Sequence, residues 1–293
     1  MSRALEVLAT GLLTLVQDLG RPGLAAVGVS PSGAADRGAF RLGARLLAQE
    51  YAAAALEVTF GGLAVRAVGD ILVALTGAEA PAEVDGRAVG YRGPVQLHDG
   101  QTLRLGPPSR GLRTYLSVRG GIDVAPVLGS RSTDTLSGVG PPPVSAGNRL
   151  PVGSPPADRF PWVDLAPGPE PASGPLRLRV LPGPRDDWLG DLASFTGTTW
   201  TVSSRSDRVG VRLEGPALAW AGDRVGSELP SEGVVRGAVQ VPPGGQPVLF
   251  LADHPVTGGY PVVAVVAGKD VDRVAQATPG QEVRFTTAST GRG

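Results

Sequence analysis

Residues 231–266 read SEGVVRGAVQVPPGGQPVLFLADHPVTGGYPVVAVV, and their reading decides the fold. Two apolar runs, Pro247–Ala252 and Pro261–Ala267, have the length and composition of buried strands. Between them, Asp253-His254-Pro255-Val256-Thr257-Gly258-Gly259-Tyr260 gathers an acid, a histidine, a hydroxyl, paired glycines and a tyrosine. Strands on both sides would hold such a loop rigidly, as a binding site requires. Gly258-Gly259 either permits backbone angles closed to other residues or admits close approach of a ligand. The plainer reading is a hairpin with a glycine turn.

The rest of the chain supports a β-rich protein. Its 293 residues suffice for two lobes, and 43 glycines and 28 prolines with 5% aromatics favour short strands and tight turns over long helices. The formal net charge is zero, so composition offers no electrostatic footprint for nucleic acid or a membrane surface. Cysteine is absent, which excludes disulfides, thiolate metal sites and cysteine nucleophiles. With only two histidines and no Gly-x-Ser-x-Gly elbow, neither a metal site nor a familiar hydrolase triad is expected. No apolar run approaches the ~20 residues that span a bilayer, and a cytoplasmic location is expected. Lys269 is the sole lysine and sits poorly for a biotin carrier, so any biotin arrives on another protein.

Residues 1–153 form the expected N-terminal lobe, 154–175 a proline-rich linker and 176–293 the C-terminal lobe. In the first lobe, strands are expected at 5–9, 12–16, 57–60, 63–67, 71–75, 82–84, 95–97, 102–105 and 115–118, in a compact barrel or sandwich. Asp85-Gly86 and Asp99-Gly100 read as hairpin turns. Asp36 is placed to cap a helix carrying Phe40, Ala44 and Leu47 on one face. In the second lobe, strands are expected at 176–181, 199–202 and 282–286. Asp186 is placed to cap a short helix bearing Trp188, Leu192 and Phe195. Ser289–Gly293 is expected to be disordered. A weak echo, Ser203, Asp207, Arg208, Arg212 and Leu213 against Ser32, Asp36, Arg37, Arg41 and Leu42, raises duplication of the lobes as an alternative to chance.

Several residues carry chemistry. Gln240 offers an amide suited to a ureido or lactam group. Asp253, at a strand end, suits binding of an amide N–H or proton abstraction. Tyr260 can clamp a flat ring, and Ser231-Glu232 supplies a donor and a carboxylate. Arg208 and Arg212 can fork onto a carboxylate, against the alternative of a structural ion pair with Asp207 or Glu214. The Gly129–Asp134 turn, GSRSTD, suits an anion but lacks phosphate-loop spacing.

VQDLGRPG at 16–23, SGAAD at 32–36, GSRSTD at 129–134, SDR with GVRLEG from 206 to 215, SEG at 231–233, GAVQVP at 237–242, GQP at 245–247 and TGGYP at 257–261 occur in order. Together they resemble the biotin-dependent carboxyltransferase, or allophanate hydrolase subunit 2, family. Ala35 replaces a usual methionine, and His254-Pro255-Val256 replaces a usual arginine-glutamine-threonine. The resemblance implies a mainly β (β-rich α+β) fold of two cyclophilin-like β-barrel lobes with a few short helices. Its first functional implication is the C subunit of 5-oxoprolinase, inactive alone. That component works with a KipI-like protein (the B subunit) and a LamB/YcsF-like protein (the A subunit) to hydrolyse 5-oxo-L-proline to L-glutamate with ATP. The alternatives are the carboxyltransferase part of a biotin-dependent urea or amide carboxylase, and a KipA-like regulator that antagonises a kinase inhibitor. No cofactor is then held tightly by this chain, ATP or carboxybiotin being supplied by partner subunits. The expected catalytic residues are Asp253, Glu232 and Tyr260. The expected binding residues are Arg208, Arg212, Gln240, Ser231, Thr257, Gly258 and Gly259, with Asp18, Arg21, Ser132 and Thr133 from the first lobe.

Overall fold

The computed structural model of the chain describes residues 3–168, 171–172 and 174–287. The expectation for Ser289–Gly293 falls outside them. Contacts divide the chain into two compact units. One comprises Met1–Arg21 with Ser32–Pro171, and the other Pro22–Pro31 with Ala172–Gly293.

The first unit contains β1 (Ala4–Thr10), β2 (Leu13–Gln17), α1 (Arg37–Leu46), β3 (Ala55–Thr59), β4 (Leu63–Val68), β5 (Ile71–Glu79), β6 (Ala82–Val84), β7 (Arg87–Ala88), β8 (Pro94–Leu97), β9 (Thr102–Leu105), β10 (Arg110–Val118) and β11 (Arg149–Pro151). These strands form two sheets, ordered β11-β1-β4-β9-β6-β7 and β2-β3-β10-β5-β8. Period-two alternation sends Leu5, Val7, Val65 and Leu103 from the first sheet, and Leu56, Val58, Val73 and Leu116 from the second, into one shared core. Asp85-Gly86 closes the β6–β7 hairpin, with φ positive at both residues. Asp99-Gly100 makes no hairpin. β8 pairs with β5 while β9 pairs with β4 and β6, so this turn is a corner between sheets.

Asp36 caps α1 as its position implies, accepting from Ala39 N at 2.9 Å. Phe40, Ala44 and Leu47 are buried. Gly43 allows the helix to lie close on β10, since a Cβ there would sit 2.1 Å from Ser117 Oγ. The chain turns at residues 51–53, and β3 begins at Ala55.

The second unit contains β12 (Leu176–Pro182), α2 (Leu192–Gly197), β13 (Thr199–Val202), β14 (Gly210–Glu214), β15 (Glu232–Gly233), β16 (Ala238–Gln240), β17 (Val248–Phe250), β18 (Thr257–Gly258), β19 (Val262–Val266), α3 (Gly268–Val274) and β20 (Glu282–Thr287). Seven of these strands close a barrel in the order β12-β19-β16-β17-β14-β13-β20, sealed by the parallel β12–β20 pair. Closure removes sheet edges, and Leu178, Trp200, Leu213, Val239, Leu249, Val263 and Phe285 are buried along its strands.

Three local readings change. β17 and β19 are not partners, because β16 lies between them. The 253–260 loop is therefore a crossover above β16 rather than a hairpin. Asp186 begins a single 3-10 turn, and the cap of α2 is Asp191, which accepts from Ala193 N at 2.8 Å. The echo between Ser32–Leu42 and Ser203–Leu213 has no structural counterpart. The first runs into a helix, whereas Asp207 closes a turn through Val209 N and Gly210 N that leads into a strand.

Candidate functional site

The site is built on the outer side of β17, β16 and β19. Because side chains alternate along strands, Ala238, Phe250 and Val262 meet in one cluster away from the barrel interior. Val234 covers them and is 7% exposed, a burial that contributes roughly 1.5–3 kcal/mol. Val234 follows β15, which pairs with β18 through Glu232↔Gly258 and Gly233↔Thr257. Val234 N also donates to Val256 O at 2.9 Å. The short ribbon thus lies across the barrel wall and brings Ser231, Glu232, Thr257, Gly258, Gly259 and Tyr260 together, as expected.

Gln240 lies beneath this ribbon. Its side chain is 4% exposed, and its Nε2 donates to Tyr260 O at 3.0 Å. The amide oxygen Oε1 has no hydrogen-bond partner among the described residues. One half of the amide is therefore fixed, and the other half is an acceptor chemically able to take an N–H. Gly258 makes this possible. It does not use positive φ, and neither does Gly259; instead a Cβ on Gly258 would sit 2.7 Å from Gln240 Nε2. The positive-φ role expected of the pair is not used; at Gly258 the missing Cβ instead admits the chain's own Gln240 side chain, while a Cβ on Gly259 would meet only Leu229 O at 3.5 Å. Gly258→Ala is expected to displace the Gln240 amide yet destabilise the fold by only about 1 kcal/mol, since the displaced atom ends a flexible side chain. Thermal unfolding near the wild-type value together with weakened binding of a small amide would register this outcome.

Glu232 is held by a residue that sequence reading missed. Arg185 Nε reaches Glu232 Oε1 at 3.0 Å and Oε2 at 3.2 Å, with a further bond from Nη2. The Arg185 hydrogen bond holds the Glu232 carboxyl below the ordinary carboxylate range, and Glu232 in turn raises Arg185. Glu232 is thus a persistent anion at neutral pH rather than a proton donor. The turn before Arg185 lies against β19: Arg185 N donates to Val262 O at 3.1 Å, and a Cβ on Gly183 would sit 2.2 Å from that same oxygen. Trp188, buried three residues on, packs edge-on against Trp220 at 5.2 Å, and Trp220 Nε1 donates to Val241 O. Arg185 is therefore fixed relative to Gln240 through the next residue in the chain. The Pro182-Gly183-Pro184 turn was the only local signal for it.

Asp253 and Arg208 are placed differently. They bind one another bidentately, Nε to Oδ2 at 2.9 Å and Nη2 to Oδ1 at 3.0 Å, with Asp253 0% and Arg208 2% exposed. The buried ion pair of Arg208 is made with Asp253, 45 residues away, which sequence reading did not name as its partner. Backbone bonds Leu251 N to Val209 O and Asp253 N to Arg208 O extend the β14–β17 ladder to this pair. Arg212 faces solvent between buried Val211 and Leu213, with no ion-pair partner among the described residues. His254 is buried beside Phe250, with Nδ1 2.8 Å from Pro255 O. Tyr260 is 47% exposed and available as a ring surface.

In the first unit, Asp18, Arg21, Ser132 and Thr133 are all brought together and all buried. Asp18 accepts from Gly20 N at 2.7 Å and from Ser130 Oγ, Ser132 Oγ and Arg131 N, each at 2.6 Å. Arg21 donates to Ser132 O and Val127 O, and Thr133 Oγ1 to Pro141 O. Their polar atoms lock the 17–21 and 127–134 loops to one another. The members missed in sequence, Ser130 and the Arg131 amide, lie within the quoted GSRSTD turn. Among the described residues no three metal-ligating side chains cluster, and no helix is long and apolar enough to cross a membrane.

A closed seven-stranded barrel crossed on its outer wall by a short glycine-bearing ribbon is the architecture to compare with known families. The carboxyltransferase domain, subdomain A and B, matches residues 27–287, and the chain belongs to that family. It is 40% identical to the C subunit of 5-oxoprolinase from Escherichia coli, over 97% of this chain and 91% of that one. It is 33% identical to urea amidolyase of Saccharomyces cerevisiae over 98% of this chain, but spans only 17% of that protein. Among solved structures, TTHA0988 aligns with a TM-score of 0.88 at 35% identity, over 97% of this chain and 55% of that one. Urea amidolyase of K. lactis aligns with a TM-score of 0.91 at 31% identity, over 98% of this chain and 19% of that one.

Proposed function

We propose that this chain acts as the C subunit in an ATP-dependent 5-oxoprolinase assembly that opens the lactam of 5-oxo-L-proline to L-glutamate, and that it is inactive alone. The observation that carries the reading is the end-to-end similarity to the C subunit of 5-oxoprolinase. The open Gln240 oxygen supports it chemically, because a lactam presents one N–H donor to pair with that acceptor. Tyr260 covers the flat ring, and Thr257, Gly258 and Gly259 border it with exposed backbone. Glu232 acts as a fixed charge beside the amide. Asp253 and Arg208 act by holding the crossover loop in place, and Asp18, Arg21, Ser132 and Thr133 by holding two loops of the first unit. In this reading KipI-like and LamB/YcsF-like partners complete a cytoplasmic complex and supply the ATP chemistry.

A second reading, the acceptor part of a biotin-dependent urea or amide carboxylase, is favoured by the full-span similarity to urea amidolyase. The same acceptor would take a urea N–H, with carboxybiotin delivered by a partner. Mixing the purified chain with candidate partner proteins, 5-oxoproline and ATP, and following glutamate, separates the readings. Glutamate release that requires this chain and no biotinylated protein supports the first. Release undiminished when the chain is omitted overturns it.

A further inference from the structure

We infer that Arg185 is the residue of this site that binds a ligand carboxylate, so that the shelf accepts an amide bearing an acid group in preference to a neutral amide. The inference rests on the small-amide reading above. Carboxylate recognition needs a cation that is positioned, accessible and not already saturated. Arg208 fails on access, being 2% exposed and doubly bonded to Asp253. Arg212 fails on positioning, since it stands exposed on β14 opposite Val248 with no ion-pair partner among the described residues to hold its guanidinium.

Arg185 meets all three conditions. Its side chain is 38% exposed. Glu232 takes the Nε and Nη2 edge, while Nη1 has no hydrogen bond among the described residues. A guanidinium clamped on one side presents its remaining donors in a fixed direction, which lowers the ordering cost of binding. The clamp is joined to the amide reader through the backbone, because Glu232 pairs with Gly258 and Gly258 abuts Gln240 Nε2. The Trp188–Trp220 contact and the Trp220 bond to Val241 O fix the turn bearing Arg185. An N–H acceptor and an anion-binding donor therefore stand on one rigid patch, and the matching ligand carries an amide N–H and a carboxylate.

Calorimetric titration of the full chain with 5-oxoproline, with the neutral lactam 2-pyrrolidinone and with biotin tests this. Wild type is expected to bind 5-oxoproline about tenfold or more tightly than 2-pyrrolidinone, the value of one charge-assisted contact. Arg185→Gln is expected to remove that preference while leaving 2-pyrrolidinone affinity within about twofold, and Arg185→Lys to retain part of it. Both partners are partly exposed, so the variants should fold, which circular dichroism verifies. Equal wild-type affinity for acid and neutral lactam, or a preference that survives in Arg185→Gln, overturns the role of Arg185 and leaves the small-amide site standing. Stronger retention of biotin than of 5-oxoproline also counts against the acid preference. Failure of wild type to bind any of the three overturns the site and Arg185 together.

Discussion

Asp253→Ala is expected to destabilise the barrel unit by about 3–5 kcal/mol, the usual penalty when one member of a buried ion pair is removed. Arg208 loses both ends of its bidentate carboxylate at a position 2% exposed to solvent. The residual guanidinium must then draw water inward or disrupt the ladder continued through Leu251 N and Asp253 N. Denaturant unfolding followed by tryptophan fluorescence reads this effect, since Trp188, Trp200 and Trp220 lie in the barrel unit. Replacing both partners with apolar residues, Arg208→Met with Asp253→Leu, should recover much of the loss, because no lone charge remains. An unfolding midpoint unchanged in Asp253→Ala would show that the pair contributes nothing to the fold. Loss of turnover in this variant would report folding before chemistry, so the acid is a poor choice for separating catalytic from regulatory readings.

Asp18→Ala should have a comparable effect in the first unit, a loss of about 3 kcal/mol or more. A buried carboxylate collects four donors there, two hydroxyls and two backbone amides at 2.6–2.7 Å. Hydrogen bonds to a charged group contribute about 1.5–3 kcal/mol each, without simple additivity, and deletion leaves the donors buried and unpaired. Hydrogen exchange at the Gly20 and Arg131 amides is the suitable reading. Both should lose protection together, because a single carboxylate serves both loops. Asp18→Asn keeps the shape and loses part of the acceptor capacity, so an intermediate loss is expected. Protection unchanged in Asp18→Ala would mean that the two loops are held by the Arg21 and Thr133 contacts instead.

These two residues show where sequence reading succeeds and where it stops. The acid and hydroxyl residues at 16–23 and 129–134 were legible as a set, and they do converge. Their burial was not legible, because it depends on loops separated by more than a hundred residues folding over one another. Strands such as Thr199–Val202 were read to the residue, since apolar and β-branched composition is local information. The two-residue strands β15 and β18 are too short to carry a period, and only their pairing creates them. Asp99-Gly100 has the chemistry of a turn, but residue type cannot state which sheet the outgoing strand joins. Asp186 and Asp191 both precede apolar residues, and the cap falls to the second because the extended backbone at Asp191 aims its carboxylate at Ala193 N. Arg185 escaped notice because its partner lies 47 residues away, and the Pro182-Gly183-Pro184 turn before it marks a bend without naming a function.

The most direct test of the shelf on β16 is a crystal of the chain soaked with 5-oxoproline. The expected result is density under the Glu232–Gly258 ribbon, with the lactam nitrogen about 3 Å from Gln240 Oε1. Clear density elsewhere, with the Gln240 oxygen still unoccupied by any donor, would contradict it.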